Sequence, residues 1–194
     1  MVMTESTMLA LGTAAPHFAL PDVVSGQTVT PQAIAGPSSL LVIFICVHCP
    51  FVKHVEQELA NIGQAYTKKG LGIVAISANS IQTHPQDAPE HMKVQASTCG
   101  FAFPYCYDED QSVAKAYTAA CTPDFFLFDG DLKLAYRGQL DDSRPSNGKP
   151  VTGKDLRAAI EAVLAGQAVA EEQAPSIGCN IKWAPGHEPS YFGA

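Results

Sequence analysis

Two thiols and an imidazole fall within four residues at Cys46-Val47-His48-Cys49. Such a set serves dithiol–disulfide exchange, ligation of a soft metal, or plain burial of two small apolar side chains. Two intervening residues put the sulfurs about one helical turn apart, within reach of a disulfide when the rotamers agree. An imidazolium at His48 favours an adjacent thiolate, since a neighbouring cation stabilises the anion. Ligation of a metal needs more donors, and His54 is the nearest third ligand. Soft thiolates with an imidazole suit Cu(I) or zinc. No second Cys-x-x-Cys follows, which speaks against a structural zinc site. The other histidines, His17, His84, His91 and His187, read as ordinary, partly exposed side chains.

The redox reading depends on where the pair sits. Ser39 to Ile45 is apolar on both faces, the pattern of a central strand covered on two sides. Pro50 suits the first position of a helix, where a missing N–H costs nothing. Val55, Leu59, Ile62 and Tyr66 mark one face of that helix, Lys68 and Lys69 suit its negative end, and Gly70 stops it. The cysteines therefore fall where a strand gives way to a helix. Unpaired backbone N–H groups and the positive end of the helix dipole favour thiolate there. On this reading Cys46, in the first turn, is the exposed nucleophile of low pKa. Cys49 is the shielded resolving thiol, and His48 tunes the thiolate.

The remaining elements follow from pattern and turn chemistry. Residues 16–30 alternate around Ser25-Gly26 and predict a short hairpin. Leu71 to Ser77 is a second apolar strand, and residues 79–89, with two prolines, read as loop. Helices are expected near residues 90–98 and 111–119. Phe125–Phe128 and Leu132–Arg137 flank Asp129-Gly130-Asp131, a hairpin signal. Thr152 and Asp155 resemble a capping box opening a helix that carries Leu156, Ile160, Val163 and Leu164 and closes at Gly166. This order implies an α/β fold, a central mixed sheet with helices on both faces. Residues 1–166 form one domain. Residues 167–194 keep Trp183, Tyr191 and Phe192 and are expected to pack on it as a tail.

Composition narrows the function classes. A chain of 194 residues is long enough for one domain with a real core. A net charge of −7 without a Lys/Arg cluster argues against non-specific nucleic-acid binding. No stretch reaches the roughly 18 apolar residues of a spanning helix. The N-terminus has no basic segment, and the apolar run Met8–Leu11 is too short for a signal peptide. The expected compartment is the cytoplasm, where cysteines are more often catalytic, metal-binding or buried than disulfide-bonded.

One more segment makes the pattern specific. Cys121-Thr122-Pro123 sets a proline directly before an apolar strand. Together with the Cys-x-x-Cys, the chain resembles the thioredoxin fold. Within it, the chain resembles the AhpC/TSA (redoxin) superfamily, in its peroxiredoxin-like and thiol–disulfide interchange branch, over about residues 11–166. That resemblance implies a cis bond at Thr122–Pro123, with Thr122 offering backbone hydrogen bonds to an extended substrate. It brings Cys121 near Cys46, as a third thiol or a packed residue. Cys99 and Cys106 flank a loop and suit burial, with a secondary disulfide as the alternative, and Cys179 is either packed by Ile177 and Ile181 or a late resolving thiol. It implies no organic cofactor. Its partners are a protein or small-molecule disulfide and a thiol electron donor, without nucleic acid or membrane.

The departures are as informative. A peroxiredoxin carries Pro-x-x-x-Thr/Ser-x-x-Cys; aligned on Cys49, this chain has Val42 and Cys46 at the first two positions. Thioredoxin's buried acid in the preceding strand has no counterpart between Ser38 and Ile45. The Cys-x-His-Cys pattern resembles the oxidising members of the fold, which stabilise the reduced thiolate. The expected activity is thiol–disulfide exchange with an antioxidant, redoxin-like character. An atypical peroxidase and a Cu(I)-delivery module built from Cys46, Cys49 and His54 are the alternatives.

Overall fold

The computed structural model describes residues 3–36 and 39–193. In chain order its elements are β1 (Met3–Glu5), β2 (Leu20–Pro21), β3 (Thr28–Val29), α1 (Pro31–Ile34), β4 (Ser39–Phe44), α2 (Pro50–Tyr66), β5 (Leu71–Ser77), α3 (Pro89–Cys99), β6 (Tyr105–Tyr107), α4 (Ser112–Ala116), β7 (Cys121–Thr122), β8 (Asp124–Phe128), β9 (Leu134–Gly138), α5 (Lys154–Leu164) and β10 (Ile177–Asn180). The main sheet has the order β6-β5-β4-β8-β9. β4, β5 and β6 run parallel, and β8 and β9 are antiparallel to their neighbours. This is the expected mixed sheet.

β4 lies at its centre because both of its faces are apolar. Leu41 and Ile43 pack with α2, α3 and α5 through Val55, Leu59, Met92, Leu156 and Ile160. Leu40, Val42 and Phe44 pack on the opposite face against Val113 and Tyr117, with Phe126 and Phe128 of β8. Every residue of β4 is buried. At roughly 1.5–3 kcal/mol for each large aliphatic or aromatic side chain taken from water, that strand is the anchor on which the site is hung. α2 stops where a single 3₁₀ turn reaches Gly70, whose φ of 91° is left-handed and open to glycine without strain.

Several expectations are corrected. The capping box at Thr152/Asp155 does not form. Buried Asp141 accepts the Thr152 and Gly153 amides at 2.6 and 2.7 Å instead, and Asp155 accepts from Gln139. The helix expected near 111–119 shortens to α4 because Thr118 turns left-handed at φ 49°. β6 and the short strands β1, β7 and β10 carry no clear alternation. They exist through pairing with distant segments, which local pattern does not encode.

Those short strands form a second, antiparallel sheet in the order β1-β10-β7. Met3 pairs with Cys179, and Cys179 with Thr122. The tail that follows returns to the body: Trp183 is buried and lies edge-on to Tyr191, with ring centroids 6.3 Å apart. Among the described residues no helix is long and apolar enough to cross a membrane.

Candidate active site

β4 delivers the chain to Cys46, a two-residue bend follows at Val47 and His48, and Cys49 is the N-cap of α2 with Pro50 at its first position. Cys46 therefore precedes the helix, contrary to the sequence expectation that placed it in the first turn. The reason is local. Cys49 is extended at φ −65°, ψ 122°, and the amides of Val47 and His48 are taken by a side chain from outside the helix, at 2.9 and 3.0 Å. A second correction concerns access. Cys46 is 1% and Cys49 0% exposed, so neither thiol is open to solvent.

The outside acceptor is Asp87, fully buried at the end of a 3₁₀ turn, Pro85–Asp87. One of its oxygens holds the two amides. The other meets His48 Nδ1 at 2.5 Å and accepts from Asn79 at 2.8 Å. The ring of His84 stacks on that of His48 at 5.1 Å. Asp87 was not foreseen. It stands in the polar, proline-containing stretch read as loop, and only the fold brings it to the cysteines.

Thr122–Pro123 forms the other wall, and its peptide bond is cis. Thr122 Oγ1 is 3.5 Å from Cys46 Sγ, and the Cys49 thiol donates to the Thr122 carbonyl at 3.2 Å. Cys121 does not join them. Its sulfur turns to the carbonyls of Pro123 and Ser176 at 3.7 and 4.0 Å, as a packed thiol. The third sulfur of the site is instead Cys179, which lies opposite Thr122 in β10 and in the same buried cluster as Cys46 and Cys49. His54, the ligand considered for copper, points elsewhere and pairs with Ser143 at 2.8 Å. The set Cys46, His48 and Asp87 has its donor atoms within 4.8 Å of one another. Asp87 already accepts hydrogen bonds on both oxygens there.

Electrostatics reverse the expected order of acidity of the two thiols. Cys49 is the middle sulfur of three. The thiols of Cys179 and Cys46 hydrogen-bond to it and hold its pKa far below the ordinary value against the opposing effect of burial. Cys46 lends its proton to Cys49, is buried, and faces the Asp87 carboxylate; all three push it up. Cys179 is raised chiefly by its hydrogen bond to Cys49. The first negative charge of the cluster thus belongs at Cys49, and the expectation that Cys46 is the low-pKa thiol is corrected. Cys99 and Cys106 are pushed up by burial, to about 11 and about 12, and are inert by comparison.

A model of the redoxin family matches residues 10–156, an interval holding the whole of this site except the tail that carries Cys179. The chain belongs to the redoxin family. Two solved structures resemble this redoxin over nearly their full length. One is an uncharacterized conserved protein from Geobacillus kaustophilus, with 54% identity and a TM-score of 0.93, covering 95% of this chain and 98% of that one. The other is a hypothetical protein from Sinorhizobium meliloti 1021, with 49% identity and a TM-score of 0.92, covering 94% and 100%. A thiol:disulfide interchange protein of the thioredoxin family from Chlorobium tepidum shares the fold at 16% identity and a TM-score of 0.61, over 80% of this redoxin and 98% of that chain. A search of curated proteins finds no match.

Proposed function

We propose that this redoxin is a thiol–disulfide oxidoreductase whose Cys46 and Cys49 cycle between dithiol and disulfide. The observation that carries the reading is the meeting of both thiols at Thr122, beside the cis Thr122–Pro123 bond and at the start of α2: Cys46 Sγ lies 3.5 Å from Thr122 Oγ1, and the Cys49 thiol donates to the Thr122 carbonyl at 3.2 Å. In the forward step the Cys46 sulfur attacks one sulfur of a substrate disulfide while its proton passes to the Cys49 thiolate. The substrate S–S bond breaks and one substrate thiolate leaves. Cys49 then gives up that proton to the substrate thiolate already released and attacks Cys46. This breaks the mixed disulfide, expels the second substrate sulfur as a thiolate that takes its proton from water, and leaves the Cys46–Cys49 disulfide.

The surrounding groups have distinct parts in that cycle. Val47 and His48 are the partly exposed side chains of the bend, so the substrate sulfur approaches from their side. Asp87 and His48 hold the bend. Thr122 Oγ1 steadies the Cys46 sulfur, while the Thr122 backbone, expected from the sequence to bind an extended substrate, is instead buried and paired with β10. The substrate is a protein or small-molecule disulfide, a thiol donor restores the dithiol, and a reducing compartment such as the cytoplasm suits the cycle.

The copper reading loses His54 to Ser143, and Asp87, a hard ligand, sits beside Cys46 in its place. Redox titration in glutathione buffers, followed by alkylation and mass spectrometry, tests the proposal. A reversible disulfide between Cys46 and Cys49 is expected. Protein that stays fully alkylated in every buffer and purifies with stoichiometric copper or zinc overturns it in favour of metal binding.

A further inference from the structure

The tail strand β10 is clamped across the site at several points. Its Ile181 amide bonds the Ala120 carbonyl, and the Lys182 amide and carbonyl bond Asn79 Oδ1 and the Ser80 amide, at 2.8–3.0 Å. On its other edge it pairs with β1. Gly178 lies so close to the Thr122 carbonyl that a Cβ there would collide with it. Cys179 faces Thr122, the residue whose carbonyl also receives the Cys49 thiol. A thiol has thus been brought to the resolving cysteine by a strand outside the interval that matches the redoxin family.

We infer that Cys179 is a third redox thiol, which exchanges with the Cys46–Cys49 disulfide to form a Cys49–Cys179 disulfide that staples β10 over the site. This rests on the dithiol reading above. The exchange conserves electrons. Cys179 loses its proton and its sulfur attacks Cys49 Sγ. The Cys46–Cys49 bond breaks, and Cys46 leaves as a thiolate that takes up a proton. One disulfide is present before and after, so no added oxidant is consumed. Cys46 becomes a free thiol again while the oxidising equivalent is held inside the protein. Because Cys179 already pairs with Thr122, whose carbonyl receives the Cys49 thiol, and both cysteines lie in one buried cluster, the step needs side-chain rotation rather than strand movement.

Peptide mapping distinguishes the linkages. Lys53 is the first basic residue of the chain, so trypsin leaves Cys46 and Cys49 on one peptide, and Cys179 on another that ends at Lys182. Wild type, Cys46→Ser, Cys179→Ser and Cys121→Ser are equilibrated across a glutathione series, alkylated and digested. Wild type is expected to show both the within-peptide link and the cross-peptide link to Cys179. Cys46→Ser should show the cross-peptide link alone, Cys179→Ser only the within-peptide link, and Cys121→Ser the wild-type pattern.

If folded Cys46→Ser leaves Cys49 and Cys179 both alkylated while wild type forms the within-peptide disulfide, the third-thiol inference is overturned and the dithiol function stands. If wild type forms no disulfide at all, the dithiol reading falls and takes this inference with it. Should Cys46→Ser fail to fold, the wild-type map decides: absence of the cross-peptide link at every potential overturns the inference.

Discussion

Cys179 and Cys49 meet at the same residue: Cys179 pairs with Thr122 across β10 and β7, and the Cys49 thiol donates to the Thr122 carbonyl at 3.2 Å. The most acidic sulfur of the site is therefore enclosed by protein on every side, with two thiol donors and the start of a helix around it. That arrangement sets what its titration and reactivity should be.

Thiolate absorbance in the ultraviolet should show a first step far below the ordinary cysteine value of about 8.5. Cys49→Ser should abolish this step. Cys179→Ala should move it upward, because a donor hydrogen-bonded to the anion favours the anion and alanine removes that donor. A low step that survives Cys49→Ser and vanishes in Cys46→Ser would return the nucleophile's charge to Cys46.

Asp87→Asn should lower the Cys46 pKa. The carboxylate is one of the groups that raise it, and removing a like charge favours the thiolate. The same change weakens the contact to His48 and should cost about 1–3 kcal/mol of stability, the scale of disrupting a buried, charge-assisted hydrogen bond. Thiolate titration in a Cys49→Ser background and urea unfolding measure the two effects. An unchanged or raised Cys46 pKa removes Asp87 from the site's electrostatics.

Gly178→Ala should force β10 away from the Thr122 carbonyl. Overpacking of this kind costs roughly 1–3 kcal/mol. It should also speed alkylation of Cys46 and Cys49 several-fold, since β10 is part of their cover. If thermal unfolding and alkylation rates match wild type, the close approach is not what seats the strand.

The pH dependence of stability should carry the mark of Asp124. Burial raises its pKa from 3.8 to about 8, and one of its oxygens has no hydrogen-bond partner. A group raised in the folded state contributes its full stabilisation below the unfolded pKa and loses it as pH rises through the folded one. Across that window each pH unit costs up to about 1.4 kcal/mol. Asp124→Asn should therefore be near neutral at about pH 4 and more stable than wild type at about pH 8, by an amount of order a few kcal/mol. Parallel unfolding curves for the two proteins from acid to alkaline pH would show that Asp124 stays ionised in the fold.

Peroxide should be a poor substrate. The positions three and seven before Cys49 hold Cys46 and Val42, so the hydroxyl and proline of a peroxidatic pocket are missing. Stopped-flow measurement should find hydrogen peroxide consumed orders of magnitude more slowly than a disulfide substrate is reduced. The opposite order of rates would make the protein a peroxidase.

The sheet, α2 and the strand–helix setting of the cysteines were legible because they rest on local signals: an apolar run, a proline and a stripe of Val55, Leu59 and Ile62. Asp87, the choice between the two readings of Cys179 and the proton order of the thiols were not. Asp87 lies in a polar stretch without periodicity. Cys179 is in a four-residue strand whose two pairing partners, β1 and β7, are both distant in sequence. The thiol acidities depend on a third sulfur that spacing alone cannot place.

The antiparallel tie between β7 and β10 also fixes an order of events during synthesis. The ribosome releases Cys46, Cys49 and Thr122 well before Cys179, so the growing chain carries its reactive pair beside an uncovered strand edge. Until β10 arrives, another strand or a stray thiol can take that place. The nascent chain is therefore the form most exposed to wrong disulfides, at the stage when its own cover does not yet exist.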